Sequence, residues 1–126
     1  MHRFWIVAGA LNMLACLIFA AATGHASNGE FVPVARQVLD TAREMHFVHS
    51  LALIAIGILS VQFPPSRWLD WAGIAFLVGI FCFSGGIYAA FGPLNLAVKI
   101  LIPIGGTALM AGWCLFAFAG VKLKLN

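Results

Sequence analysis

Four apolar runs limit what this chain can become: residues 4–23, 45–62, 68–91 and 103–121, each bounded by polar residues or by proline and glycine. At about 1.5 Å of rise per residue, each helix would cross or nearly cross a hydrocarbon core about 30 Å thick. The 126 residues are 63% hydrophobic and 9% charged, against roughly 25% charged in an average soluble domain. A soluble chain this short has no interior large enough to hide that surface, so lipid is the solvent that fits. The expectation is one all-α domain over residues 1–126. It is an integral membrane four-helix bundle, antiparallel and up-down, with short loops except between spans 1 and 2.

The boundaries follow from breakers. Met1-His2-Arg3 has the look of a signal-peptide start, and Gly24-His25-Ala26 of a weak cleavage site. The run after that start is longer than the roughly 7–15 residues of a signal core, so it reads as an uncleaved span. Leu14 stands where a lipoprotein signal needs a small residue, which argues against lipidation of Cys16. Ser27-Asn28-Gly29 marks a turn and Pro33 suits the first turn of a helix. Residues 34–44 form an amphipathic helical segment running into the second span, where Arg36/Asp40 and Asp40/Arg43 can pair along one face. Pro64-Pro65 ends the second span, and Gly92-Pro93 ends the third. Pro103 is expected to kink a fourth helix that has an extra turn or two before it.

Small residues are spaced for close helix contact. Ala72, Ala75, Gly79, Cys82 and Gly86 form a heptad seam, and Gly105, Ala108 and Gly112 begin another that reaches Ala119. Ala8, Ala15 and Ala22 repeat at seven on the first span. In lipid, such seams let backbones approach and gain dispersion contacts. Asn12 is expected to bond across to another helix, and Ser84, Tyr88 and Thr107 to act as interhelical hydrogen-bond glue. Trp5, Trp68 and Trp71 read as markers of one interface. The three cysteines, Cys16, Cys82 and Cys114, lie within apolar runs as packing residues and form no disulfide framework.

Polar chemistry concentrates at the mouth of the second span, in Glu44-Met45-His46-Phe47-Val48-His49. Three functional readings attach to it. His25 and His49, with Glu44, would bind a lipid headgroup or quinone at the interface. His46, His49 and Glu44 would give three ligands to Zn²⁺ or Cu²⁺, or a haem site, as the weaker alternative. The plainest reading is structural, with His25 and His49 approaching each other to pin the first hairpin. Catalytic triads, P-loops, dinucleotide-binding glycine turns and Cys-x-x-Cys are missing from the sequence, so no enzyme and no resident cofactor are expected. No basic cluster marks a nucleic-acid surface.

Phe83-Ser84-Gly85-Gly86-Ile87-Tyr88, Pro103-Ile104-Gly105-Gly106 and Ala111-Gly112-Trp113, in that order, resemble the second half of the membrane family catalogued as domain of unknown function 423, to which eukaryotic transmembrane protein 256 is similar. Gly24-His25 and His49-Ser50-Leu51-Ala52 resemble its first half. Ala20-Ala21-Ala22-Thr23-Gly24-His25 departs from the family's usual Gly-Ala-Phe-Gly-Ala-His, and members usually carry Tyr or Gln in the slots near Met45 and His46. The resemblance implies four transmembrane helices in a bacterial inner membrane or a mitochondrial one, and no established activity. The functional expectation is a non-enzymatic accessory or assembly subunit, or a lipid-binding scaffold. Membrane lipids, a protein partner or a second copy are the expected partners, with no nucleic acid. The alternative is a small oligomeric transporter or channel. Counting Lys and Arg, four on the terminal side against three opposite, favours cytoplasmic termini.

Overall fold

The computed structural model describes the backbone of residues 2–26, 33–91 and 97–123, and the side chains of 3–22, 33–91 and 97–123. Its helices are α1 (His2–Ala26), α2 (Pro33–Gln62), α3 (Arg67–Gly79), α4 (Gly85–Phe91) and α5 (Leu101–Lys122). A π-turn, Ile80–Ser84, joins α3 to α4 in one rod. Four rods are thus long and apolar enough to cross a membrane, and no strand occurs among the described residues.

Contacts give the direction of each rod. Cys16 of α1 lies beside Arg43 of α2, and Ile6 beside Gly57, so α1 and α2 run antiparallel. Gly112 meets Phe76, Gly79 meets Leu109 and Gly86 meets Ile102, so α5 runs antiparallel to α3–α4. Trp5 packs on Gly73, which aligns α1 with α3. The starts of α1 and α3 and the ends of α2 and α5 therefore share one end, called here the terminal end; the other is the far end.

α2 is one helix of 30 residues, in which the amphipathic segment runs directly into the second span. Leu39, Ala42, His46, His49, Leu53, Ile56 and Ser60 recur every three or four residues, so one buried face runs nearly its whole length. Pro64 and Pro65 stop it, as neither donates a backbone hydrogen bond. α5 starts at Leu101, after tight bonds from Leu101 N to Val98 O (3.0 Å) and Ile102 N to Lys99 O (3.2 Å). Pro103 therefore falls in the first turn, where its missing N–H costs nothing. The expected kink with helix before it is corrected on that ground.

Trp5, Leu53, Ile56, Leu69 and Phe76 are fully buried and form the main core. A smaller cluster of Leu39, Ala42 and Ile87 lies toward the far end. Trp5 is thus a core residue and no interface marker: it is 1% exposed, and its Nε1 donates to Asp70 Oδ1 at 2.8 Å. Trp68 and Trp71 remain on the surface. Exposed apolar side chains such as Leu11, Leu14, Ile18 and Met110 face the acyl chains.

The small residues sit at the contacts. A Cβ on Gly105 would strike the backbone of Cys82 and Phe83, so α5 passes directly over the π-turn. Ala72, Gly79, Gly86 and Gly112 are buried, with Ala75, Cys82 and Ala108 half-buried beside them. On α1 the close approach belongs to Gly9, whose Cβ would reach Ser50 O at 2.8 Å. Ala8 and Ala15 are half-buried next to it and Ala22 is exposed, so the working contact lies one position from the expected one. Asn12 Nδ2 donates to Ala8 O of its own helix (2.8 Å), and Thr107 bonds Pro103 O and Ile104 O within α5. Neither makes the interhelical bond expected of it.

Candidate functional site

His49 is held on both sides of its ring. Met45 O accepts from Nδ1 at 2.6 Å, and Trp113 Nε1 donates to Nε2 at 3.0 Å. A carbonyl only accepts and an indole only donates, so the two bonds fix the tautomer with the proton on Nδ1. The ring packs against Phe76 (5.3 Å between centroids) and Trp113 (5.9 Å). It is 3% exposed. This histidine ties α2 to α5 through the core, well inside the bundle, and both nitrogens are committed.

His46 turns to a different neighbour. Its Nδ1 lies 3.3 Å from Tyr88 Oη on α4, and Tyr88 in turn stacks on Phe19 of α1 (4.7 Å, 17°). Nε2 is buried and makes no hydrogen bond; the Asn12 backbone lies beside the ring without bonding geometry. Ser84 Oγ on the π-turn donates to Ala42 O at 2.9 Å, and Ser50 Oγ donates to His46 O at 2.7 Å.

Glu44 is exposed and joins neither imidazole. The three-ligand arrangement of Glu44, His46 and His49 is therefore corrected. The described residues hold no group of three His, Cys, Asp or Glu side chains placed for a metal. The side chain of His25 lies outside the described residues, and so does the expected approach of His25 to His49. Trp113, quoted in the sequence only as part of a motif, proves to be the partner of His49. An indole inside an apolar run must find an acceptor somewhere in the bundle, and that signal was present.

What Glu44 does line is a groove of about 480 Å³ between α1 and α2 at the far end. Cys16, Leu17, Ala20, Phe47 and Val48 form its apolar wall, and Asp40, Arg43 and Glu44 its polar rim. Arg43 pairs with Asp40 one turn earlier, and Arg43 O receives a weak bond from Cys16 Sγ (3.6 Å). About 20 residues counted back from the end of α2 reach this rim, so it lies where the helix leaves the hydrocarbon.

The family model described as protein of unknown function (DUF423) matches residues 19–106. Full-length relatives are similar to the chain. A UPF0382 membrane protein of Haemophilus influenzae is 29% identical over 125 residues, covering 98% of each chain. UPF0382 membrane protein SAB0533 of Staphylococcus aureus is 29% identical, covering 95% of this chain and 97% of its own. UPF0382 inner membrane protein YgdD of Escherichia coli K12 is 26% identical, covering 97% and 92%. No solved structure matches. Four apolar rods, relatives named as membrane proteins along their whole length, and a family model over most of the sequence agree: this chain is an integral membrane protein belonging to the DUF423 family of unknown function.

Proposed function

We propose that the protein is a non-catalytic lipid-binding scaffold whose ligand is a zwitterionic phospholipid held in the groove between α1 and α2. One observation carries the reading. The groove joins an apolar wall to a rim bearing both a cation, Arg43, and an acid, Glu44, at the depth of the headgroups. An acyl chain suits Leu17, Ala20, Phe47 and Val48. A guanidinium binds phosphate well, and Glu44 suits the ammonium of an ethanolamine headgroup. The pair with Asp40 keeps Arg43 on the rim. Quinone binding at His49 fits less well, because Trp113 and Met45 already occupy both nitrogens. The wider role that goes with such a scaffold is accessory or assembly work in a larger membrane complex, in a bacterial inner membrane with cytoplasmic termini.

Native mass spectrometry of the full chain purified in mild detergent tests this. Phosphatidylethanolamine is expected to remain bound to the wild type and to be lost from the Arg43→Gln, Glu44→Gln double variant. A bare wild-type protein, or equal retention by the variant, overturns the proposal.

A further inference from the structure

The far-end groove has a counterpart of different charge at the terminal end. The Pro64-Pro65 turn brings the start of α3 against the end of α5, and a cavity of about 310 Å³ opens between them. Ser66, Arg67, Trp68 and Lys122 line it. Phe118 organises two of these. The Trp68 indole meets that ring edge-on at 4.7 Å, and Lys122 Nζ stands 5.4 Å from its centroid. The ammonium and the indole are thereby held beside one apolar ring at the end of the span. Indoles sit at the headgroup level, so the cavity faces headgroups.

Among the described residues no carboxylate lines this cavity. Among the described residues neither Arg67 nor Lys122 makes an ion pair. Asp70, one turn into α3, accepts from the buried Trp5 indole. The Ser66 side chain makes no capping bond to the helix it precedes, which leaves its hydroxyl available. Two cations, a hydroxyl and an interfacial indole thus surround a concave space, with no acid among the described residues that line it.

We propose that this cavity binds the phosphate of an anionic phospholipid of the phosphatidylglycerol type. The guanidinium and ammonium flank the phosphate, and the Ser66 hydroxyl donates to a phosphate oxygen. Basic pockets between transmembrane helices suit such headgroups. Preference for an anionic lipid follows from the charges of the described lining: there an ethanolamine ammonium would meet the cations Arg67 and Lys122, whereas the far-end rim offers it Glu44. The two ends would therefore select different headgroups in the two leaflets. This site does not rest on the far-end groove and stands or falls separately from it.

Native mass spectrometry of the full chain, titrated with equimolar phosphatidylglycerol and phosphatidylethanolamine, tests the site through its own variants. The wild type is expected to take up phosphatidylglycerol preferentially. Arg67→Gln with Lys122→Gln should weaken that uptake roughly thirtyfold, at about a fivefold loss for each charge near the surface. The charge-conserving pair Arg67→Lys, Lys122→Arg should retain most of it, and Arg36→Gln with Lys99→Gln, at the far end, should leave it unchanged. Equal uptake of the two lipids by the wild type overturns the proposal, as does an equal loss in the far-end variant. Displacement of the lipid by inorganic phosphate would overturn the lipid assignment, because it would mark the two cations as a free-phosphate site.

Discussion

At the scale of single residues, His46 and His49 show how spacing misleads. Residues three apart on a helix differ by about 60° in direction, and at a junction of several rods that angle separates two neighbours. His49 reaches Phe76 and Trp113, while His46 reaches Tyr88. The sequence made the polar cluster visible, and with it the need for partners. It did not show which helix each ring would face, because that depends on rods brought together from distant parts of the chain. The two histidines should behave differently when removed. His49→Leu leaves the Trp113 N–H without its acceptor inside the bundle and should cost about 1–3 kcal/mol. His46→Leu removes a ring whose Nε2 is already unbonded and whose Nδ1 makes one long contact, 3.3 Å, to the half-buried Tyr88 hydroxyl, and should cost less, about 0.5–1.5 kcal/mol. Thermal melting in detergent measures both. A larger loss for His46→Leu than for His49→Leu would contradict the assignment of His49 as the bond that ties α2 to α5.

At the scale of helices, four spans and their alternating direction were legible in the lengths of the apolar runs and in the prolines between them. The small-residue pattern also pointed to where α3–α4 and α5 approach. The π-turn had no such signal. Ile80–Ser84 is apolar and continuous in hydropathy with its surroundings, and an extra residue in a helical turn leaves composition unchanged. Its consequence is geometric: it widens one turn where the Gly105 backbone presses on Cys82 and Phe83, and it sets the direction from which Ser84 reaches Ala42 O. Glycines on α5 are therefore unequal. Gly105→Ala would put a methyl within 2.8 Å of the Cys82 carbonyl carbon, a collision with backbone. It should destabilise by about 1–3 kcal/mol, as overpacking does. Gly120 has open space around its Cα, so Gly120→Ala should be neutral or stabilise by up to about 1 kcal/mol through helix propensity. Unfolding of both variants in mixed micelles gives the comparison, and equal effects would remove the close contact at the π-turn.

For the molecule as a whole, the question is whether its interior polar groups form a path. They fall into separate sets along the bundle. Trp5 and Asp70 bond near the terminal end, His49 and Trp113 bond deeper in, and His46–Tyr88 and Ser84–Ala42 lie toward the far end. Between the terminal set and the His49 set stand Leu53, Ile56 and Phe76, all fully buried. A proton or ion crossing one copy would have to leave polar contact at that apolar layer, where bare charge is costly. The bonded pairs also use their donors on each other, as helix glue does in lipid. Proteoliposomes containing the purified protein are therefore expected to leak protons and potassium at the rate of empty vesicles, at neutral and acidic pH alike. Flux above that background, abolished by His49→Leu while the variant still melts cooperatively, would show that the His49 set opens to both sides. The transporter reading would then displace the scaffold.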